Sequence, residues 1–234
     1  MTRVPIPKAV LFDLFHTLAL VPPPAEVGDP TIPEILGLSS AEFQRKYYEE
    51  DVLGRCLGHI HDDVEAMRLI ARSIDPTVSE ERILAAVESR RRRFESSLIG
   101  IERPILAALD RLSAAGVRMA LVSDAGADDV ACWARSPLRS RLDAVVFSYE
   151  VGVRKPDPRI YKHALDALGV RPDESIFVGD GGSDEHRGAR AVGLPTVLVT
   201  RYLRMWWPER VAERRPHADW EFEDVAAFVS ALKL

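Results

Sequence analysis

The sequence predicts an α/β fold, a doubly wound parallel sheet interrupted once by an all-helical insertion. Three observations predict it. After about residue 99, short apolar runs alternate with helical stretches of ten or so residues, the pattern of parallel strands joined by helices. A further continuous apolar run stands near the N-terminus, KAVLFDLF over Lys8–Phe15, and reads as a buried strand of the same sheet. Between the two, from Ser40 to Leu98, no β-rich run occurs and apolar residues recur at three- and four-residue spacing. Residues 1–17 and 99–234 are therefore expected to form the core domain, and 18–98 an inserted helical domain.

Taken in order, the first strand gives way to VPPPAEVGDPTIP, whose prolines mark a linker that is neither helix nor central strand. Three helical stretches follow. The last is expected to start at Ser79, whose hydroxyl can cap it while Glu80 and Glu81 face the positive end of the helix dipole. Pro104–Ala115 reads as a helix closed by Gly116, VRMALVS as a strand, DDVACWARS as a helix and AVVFS as a strand. DPRIYKHALDAL is a helix with Gly169 just past its end, the usual left-handed stop. SIFVG is a strand, DEHRGARAV a helix, PTVLV a strand and DVAAFVSALKL the closing helix. RYLRMWWPERVAERRP lacks strand rhythm and is read as a packed loop rather than an interaction surface.

Composition narrows the class. Of 234 residues, 47% are hydrophobic and 29% charged, which suffices for a sizeable core. No run is long enough to span a bilayer, and the N-terminal apolar run ends in an acid rather than a cleavage site. A formal net charge of −5 argues against a nucleic-acid partner. The basic run Arg90–Arg93 reads as a solvated helix face. Cys56 and Cys132 form no metal or redox motif and read as small buried hydrophobes, in keeping with a reducing cytoplasm. A small-molecule substrate is the expected partner, and the oligomeric state is open.

In open parallel sheets, ligands bind beyond the carboxyl ends of the strands. Reading only those ends yields Asp13, with Thr17 four residues on; Ser123, followed by Asp124; Lys155, in the loop after AVVFS; and Asp180, followed by Asp184 and Glu185. Four strands thus deliver carboxylates, a hydroxyl and an amine to one edge. An acid at the end of an apolar strand must be paired or face a cleft. The acids outnumber Lys155, and a divalent cation is the simplest way to balance them.

The order FDLFHT, LVSD, RKPDPRIY and FVGDGGSDEHRGARAVGL resembles the haloacid-dehalogenase-like hydrolase superfamily, over nearly the whole chain. The resemblance implies a Rossmann-like core with a helical cap. By position it implies that Asp13 is the nucleophile, forming a covalent aspartyl intermediate. Ser123 would hydrogen-bond the transferring group, and Lys155 would steady nucleophile and substrate charge. A magnesium ion would be held by Asp13, the backbone carbonyl of Phe15 and Asp180, with Asp184 or Glu185 as a further carboxylate. Thr17 closes the first motif in a structural role.

One position departs from the pattern. Phosphatases of the superfamily carry a proton-donating Asp two residues after the nucleophile, where this chain has Phe15. Dehalogenases also lack that Asp, because halide leaves without a proton, but they need no metal and lack the acids of the last motif. The retained acids place a magnesium-dependent phosphatase of a small phosphorylated metabolite first. A 2-haloacid dehalogenase is the alternative, and a non-catalytic ligand-binding relative the third reading. For a phosphatase, His16, or His59 and His61 of the insertion, could supply the missing proton, unless the leaving group needs none. For a dehalogenase, Arg45 and Arg55 are the candidate cations for halide and carboxylate.

Overall fold

The structure, a computed structural model, describes residues 4–49, 51 and 53–234. Six strands form one parallel sheet in the order β3-β2-β1-β4-β5-β6. They are β1 (Ala9–Phe12), β2 (Arg118–Ser123), β3 (Ala144–Phe147), β4 (Ser175–Gly179), β5 (Thr196–Val199) and β6 (Trp220–Phe222). The helices are α1 (Pro24–Val27), α2 (Ile32–Leu36), α3 (Ser40–Gln44), α4 (Asp63–Ile74), α5 (Glu80–Ile99), α6 (Arg103–Ala114), α7 (Ser148–Val151), α8 (Pro158–Leu168), α9 (Glu185–Ala191), α10 (Arg201–Trp206), α11 (Pro208–Arg214) and α12 (Val225–Ala231).

Strand side chains alternate between two apolar layers, as a period of two requires. Val10 and Phe12 of β1, Met119 and Leu121 of β2, and Ile176 and Val178 of β4 pack on one face beneath α6 and α12. Ala9, Leu11, Ala120, Val122 and Phe177 pack on the other against α8 and α9. The central strands are covered on both faces, which is why they read as unbroken apolar runs. The insertion buries a separate apolar cluster, centred on Phe43, Met67, Ile70, Ile83 and Val87 from α3, α4 and α5.

Helix ends follow local chemistry. The Ser79 hydroxyl accepts from Arg82 N at the start of α5. Asp157 caps α8, Pro158 stands in its first turn, and Gly169 ends it at a φ of 62°.

Several expectations need correcting. The proline-rich linker contains α1 and the start of α2, because proline suits a helix's first turn and Thr31 with Glu34 makes a capping box for α2. DDVACWARS forms turns and a short 3₁₀ segment, Trp133–Arg135, instead of an α-helix. The segment read as a packed loop holds α10 and α11, the latter opened by Pro208. β6 follows it as an edge strand too short to register as a run. Among the described residues, no helix is long and apolar enough to cross a membrane. Both cysteines are free, Cys132 buried and Cys56 half-buried.

Candidate active site

Register brings the candidate residues to one rim. Phe12 of β1 pairs with Leu121 of β2 and with Val178 of β4, so the three strands end level with one another. Asp13 follows β1, its amide donating to Val178 O at 2.9 Å. Ser123 closes β2, and Asp180 follows β4 directly.

Asp13 is buried, and both its carboxylate oxygens are held. Thr17 Oγ1 donates to Oδ2 at 2.9 Å, and Lys155 Nζ donates to Oδ1 at 2.6 Å. Thr17 can do this because the chain turns back on itself after Asp13, with the amides of Leu18 and Ala19 donating to Leu14 O. Lys155 Nζ also donates to Glu185 Oε2 at 2.6 Å, and its backbone amide donates to Asp124 Oδ1 at 2.8 Å. Asp124 thus positions the lysine's backbone. Burial works against the lysine's charge, but Asp13 and Glu185 outweigh it and hold the ammonium well above its ordinary range.

The glycine-rich turn aims two acids inward and one outward. Ser183 and Asp184 both adopt left-handed backbone, at φ 53° and 52°, a conformation uncommon for non-glycine residues. This turn sends Glu185 into the protein and leaves Asp184 exposed, 3.6 Å from Arg187. Of the two acids considered as a further carboxylate, Glu185 therefore joins the cluster and Asp184 stays outside it. Glu185 Oε1 accepts from Gly181 N at 2.7 Å. It lies so close to Gly179 that an added Cβ would stand 2.1 Å from it, which fixes glycine at the end of β4.

Asp13, Asp180 and Glu185 are all buried and present carboxylate oxygens within 4.8 Å of one another. Burial, reinforced by the charges of Asp13 and Asp180, pushes the Glu185 carboxyl well above the usual range. An all-oxygen donor set in a closed cluster suits a hard divalent cation such as magnesium. Ser123 is buried, and its hydroxyl has no hydrogen-bond partner among the described residues. An orphan hydroxyl at the rim is costly unless a ligand completes it.

Other candidates lie differently. The Phe15 ring packs edge-on against Phe94 of α5, 5.1 Å between centroids, as a contact between sheet and insertion. His16 has a φ of 63° and packs against Trp206 and Trp207, its Nδ1 buried without a partner among the described residues. Burial lowers its pKa despite the nearby Asp180 and Asp13. His59 and His61 are exposed on the insertion. Arg45 is exposed, whereas Arg55 is buried and bound to Asp128 and Asp129. Arg90, expected in a solvated face, is buried against the same two aspartates.

Sequence reasoning missed Arg214. From the end of α11 its Nη1 donates to Asp180 Oδ2 at 2.7 Å and to Asp180 O at 2.9 Å. Burial disfavours the Asp180 carboxylate, but the Arg214 guanidinium overcomes this and holds its pKa below the ordinary value. The available signal was PERVAER, a proline-started helix ending in arginine.

Comparison with known proteins agrees with this architecture. A phosphoserine phosphatase of Thermus thermophilus is 44% identical over 78 residues, 33% of this chain and 31% of that protein. The (S)-2-haloacid dehalogenase 4A of Burkholderia cepacia is 38% identical over 95 residues, 40% of each. Both matches thus span less than half of the relative's length. The crystal structure of a HAD phosphatase from Thermococcus onnurineus has a TM-score of 0.61 over 96% of this chain and 97% of that one, at 22% identity, a likeness of fold. The family model for haloacid dehalogenase-like hydrolases matches residues 7–193, well over half of the chain. With a parallel sheet and a rim of buried acids already in place, this match makes the chain a member of the haloacid dehalogenase-like hydrolase family.

Proposed function

We propose that the chain is a magnesium-dependent phosphatase that transfers the phosphoryl group of a small substrate to Asp13, and that its leaving group needs no proton from the enzyme. The observation that carries this reading is the buried triplet Asp13, Asp180 and Glu185, whose carboxylates converge within 4.8 Å. Asp13, Asp180, Glu185 and the Phe15 carbonyl would hold the ion; Asp184 is not part of this set. When bound, magnesium offsets the repulsion between an attacking carboxylate and a phosphate dianion and polarises the phosphoryl oxygens.

The chain's own groups do the rest. A carboxylate oxygen of Asp13 attacks phosphorus in line with the departing oxygen, which leaves with the bonding electron pair. Lys155 and Thr17 hold the nucleophile's orientation. The Lys155 ammonium and the Ser123 hydroxyl donate to the phosphoryl oxygens as charge spreads over them. Water then cleaves the aspartyl phosphate. Phe15 carries no transferable proton, which favours a carboxylate or phosphate leaving group, as from an acyl phosphate or a phosphoanhydride, over an alkoxide.

A second reading, 2-haloacid dehalogenase, is favoured by that same Phe15 and by the Burkholderia relative. Against it, Arg55 is already committed to two aspartates and is not available for a substrate carboxylate. The test is a release assay on acyl phosphates, phosphoanhydrides, alkyl phosphates and 2-haloacids, with and without magnesium. Metal-dependent phosphate release, fastest from the first two classes, is expected. Metal-independent halide release would overturn the phosphatase reading.

A further inference from the structure

The geometry points to Arg214 as a built-in counter-cation of Asp180, which weakens divalent-metal binding and lets the rim stay folded without a metal. This rests on the reading of Asp13, Asp180 and Glu185 as the metal site. Lys155 serves Asp13 and Glu185 together, while the charge of Asp180 is met from another element by the Arg214 guanidinium. The tie is built into the fold. The Arg214 stem lies over Gly181, where an added Cβ would stand 2.9 Å from its Cδ, so the glycine leaves room for the arginine. Gly182 N donates to Asp180 Oδ1 at 2.9 Å. Both oxygens of Asp180 are thus engaged, though a carboxylate has about four lone-pair sites and retains capacity for a metal.

Charge decides the direction. With all three carboxylates ionised, as a bound cation requires of its ligands, they and Lys155 leave two negative charges, which a divalent ion neutralises. Arg214 reduces that deficit to one, so an arriving ion meets a site already partly neutralised and shares Asp180 with a guanidinium. Were Arg214 only an orienting group, its loss would weaken metal binding, as loss of a metal ligand's supporting partner commonly does by about 10–100-fold. As a counter-cation, its loss acts the other way.

The experiment is magnesium titration by calorimetry, with thermal melts in chelator and in magnesium, on the full chain and on Arg214→Gln and Arg214→Lys. Arg214→Gln is expected to bind magnesium at least about tenfold more tightly, to melt below the parent chain in chelator, and to recover most of that loss in magnesium. Arg214→Lys, which keeps the charge, should stay close to the parent chain in both readouts. Equal or weaker magnesium binding by Arg214→Gln overturns the counter-cation and leaves the metal site standing. No magnesium binding by any of the three chains overturns both.

Discussion

Two buried charge clusters in this molecule solve the same problem differently. At the rim, Asp13, Asp180 and Glu185 face Lys155 and Arg214, three acids against two bases. At the junction of insertion and sheet, Asp128 and Asp129 face Arg55 and Arg90, two against two, with side chains only 5–7% exposed. The junction cluster is balanced in charge: each arginine reaches both aspartates, Gly126 N adds a bond to Asp129, and the arginines lie over the Tyr47 ring, with Arg55 Nε buried and without a hydrogen-bond partner among the described residues. The rim cluster is unbalanced and sits beside the orphan hydroxyl of Ser123. A balanced cluster locks two parts of a chain together, whereas an unbalanced one has capacity for something to arrive.

The sharpest way to break this contrast is to neutralise one acid in each cluster. Asp13→Asn removes the proposed nucleophile, and turnover is expected to fall on the order of 10⁴-fold or more. Its stability should nonetheless equal or exceed that of the parent chain, because the excess negative charge is relieved while the amide can still meet Thr17 and Lys155. Turnover assays paired with urea unfolding check both halves. An active variant removes the nucleophile, and a strongly destabilised one removes the claim of imbalance. At the junction the expectation reverses. Asp129→Ala strands two buried guanidinium groups and should cost about 3–5 kcal/mol in urea unfolding. A loss within about 1 kcal/mol would show that water reaches the cluster and that it locks nothing.

The same contrast explains what was legible in the sequence. Lys155 and Asp180 could be placed because strand ends are marked by apolar runs such as SIFVG, and the sheet sends every strand end to one rim. Arg90 could not. An arginine run on a helix looks solvated, and its burial depends on aspartates in a distant loop that itself departed from its expected helix. The sequence does not choose between Asp184 and Glu185, because the choice depends on the left-handed backbone at Ser183 and Asp184. Arg214 is not legible because its segment, which lacks strand rhythm, folds into two short helices, and because its role depends on Gly181 lying beneath it.

An exposed pair completes the series and should give the smallest effect. Asp157 and Arg159 flank the start of α8, two residues beyond Lys155, with side chains 31% and 67% exposed. Hydrogen bonds from the Arg159 side chain and amide hold the Asp157 carboxyl down at about 2. The depressed value means that its contribution is present above the ordinary carboxylate range and lost as the pH falls through about 2. In water the ion pair itself is worth little; the bond that the Arg159 amide donates to Asp157 Oδ1, which satisfies a free helix-end donor, is the larger part. Asp157→Ala should therefore cost about 1 kcal/mol, and Asp157→Asn, which keeps the cap and drops the charge, only a few tenths. Urea unfolding near pH 7 separates the two. If asparagine costs as much as alanine, charge matters at the surface of this protein as well as in its interior, and the distinction between exposed and buried clusters loses its force.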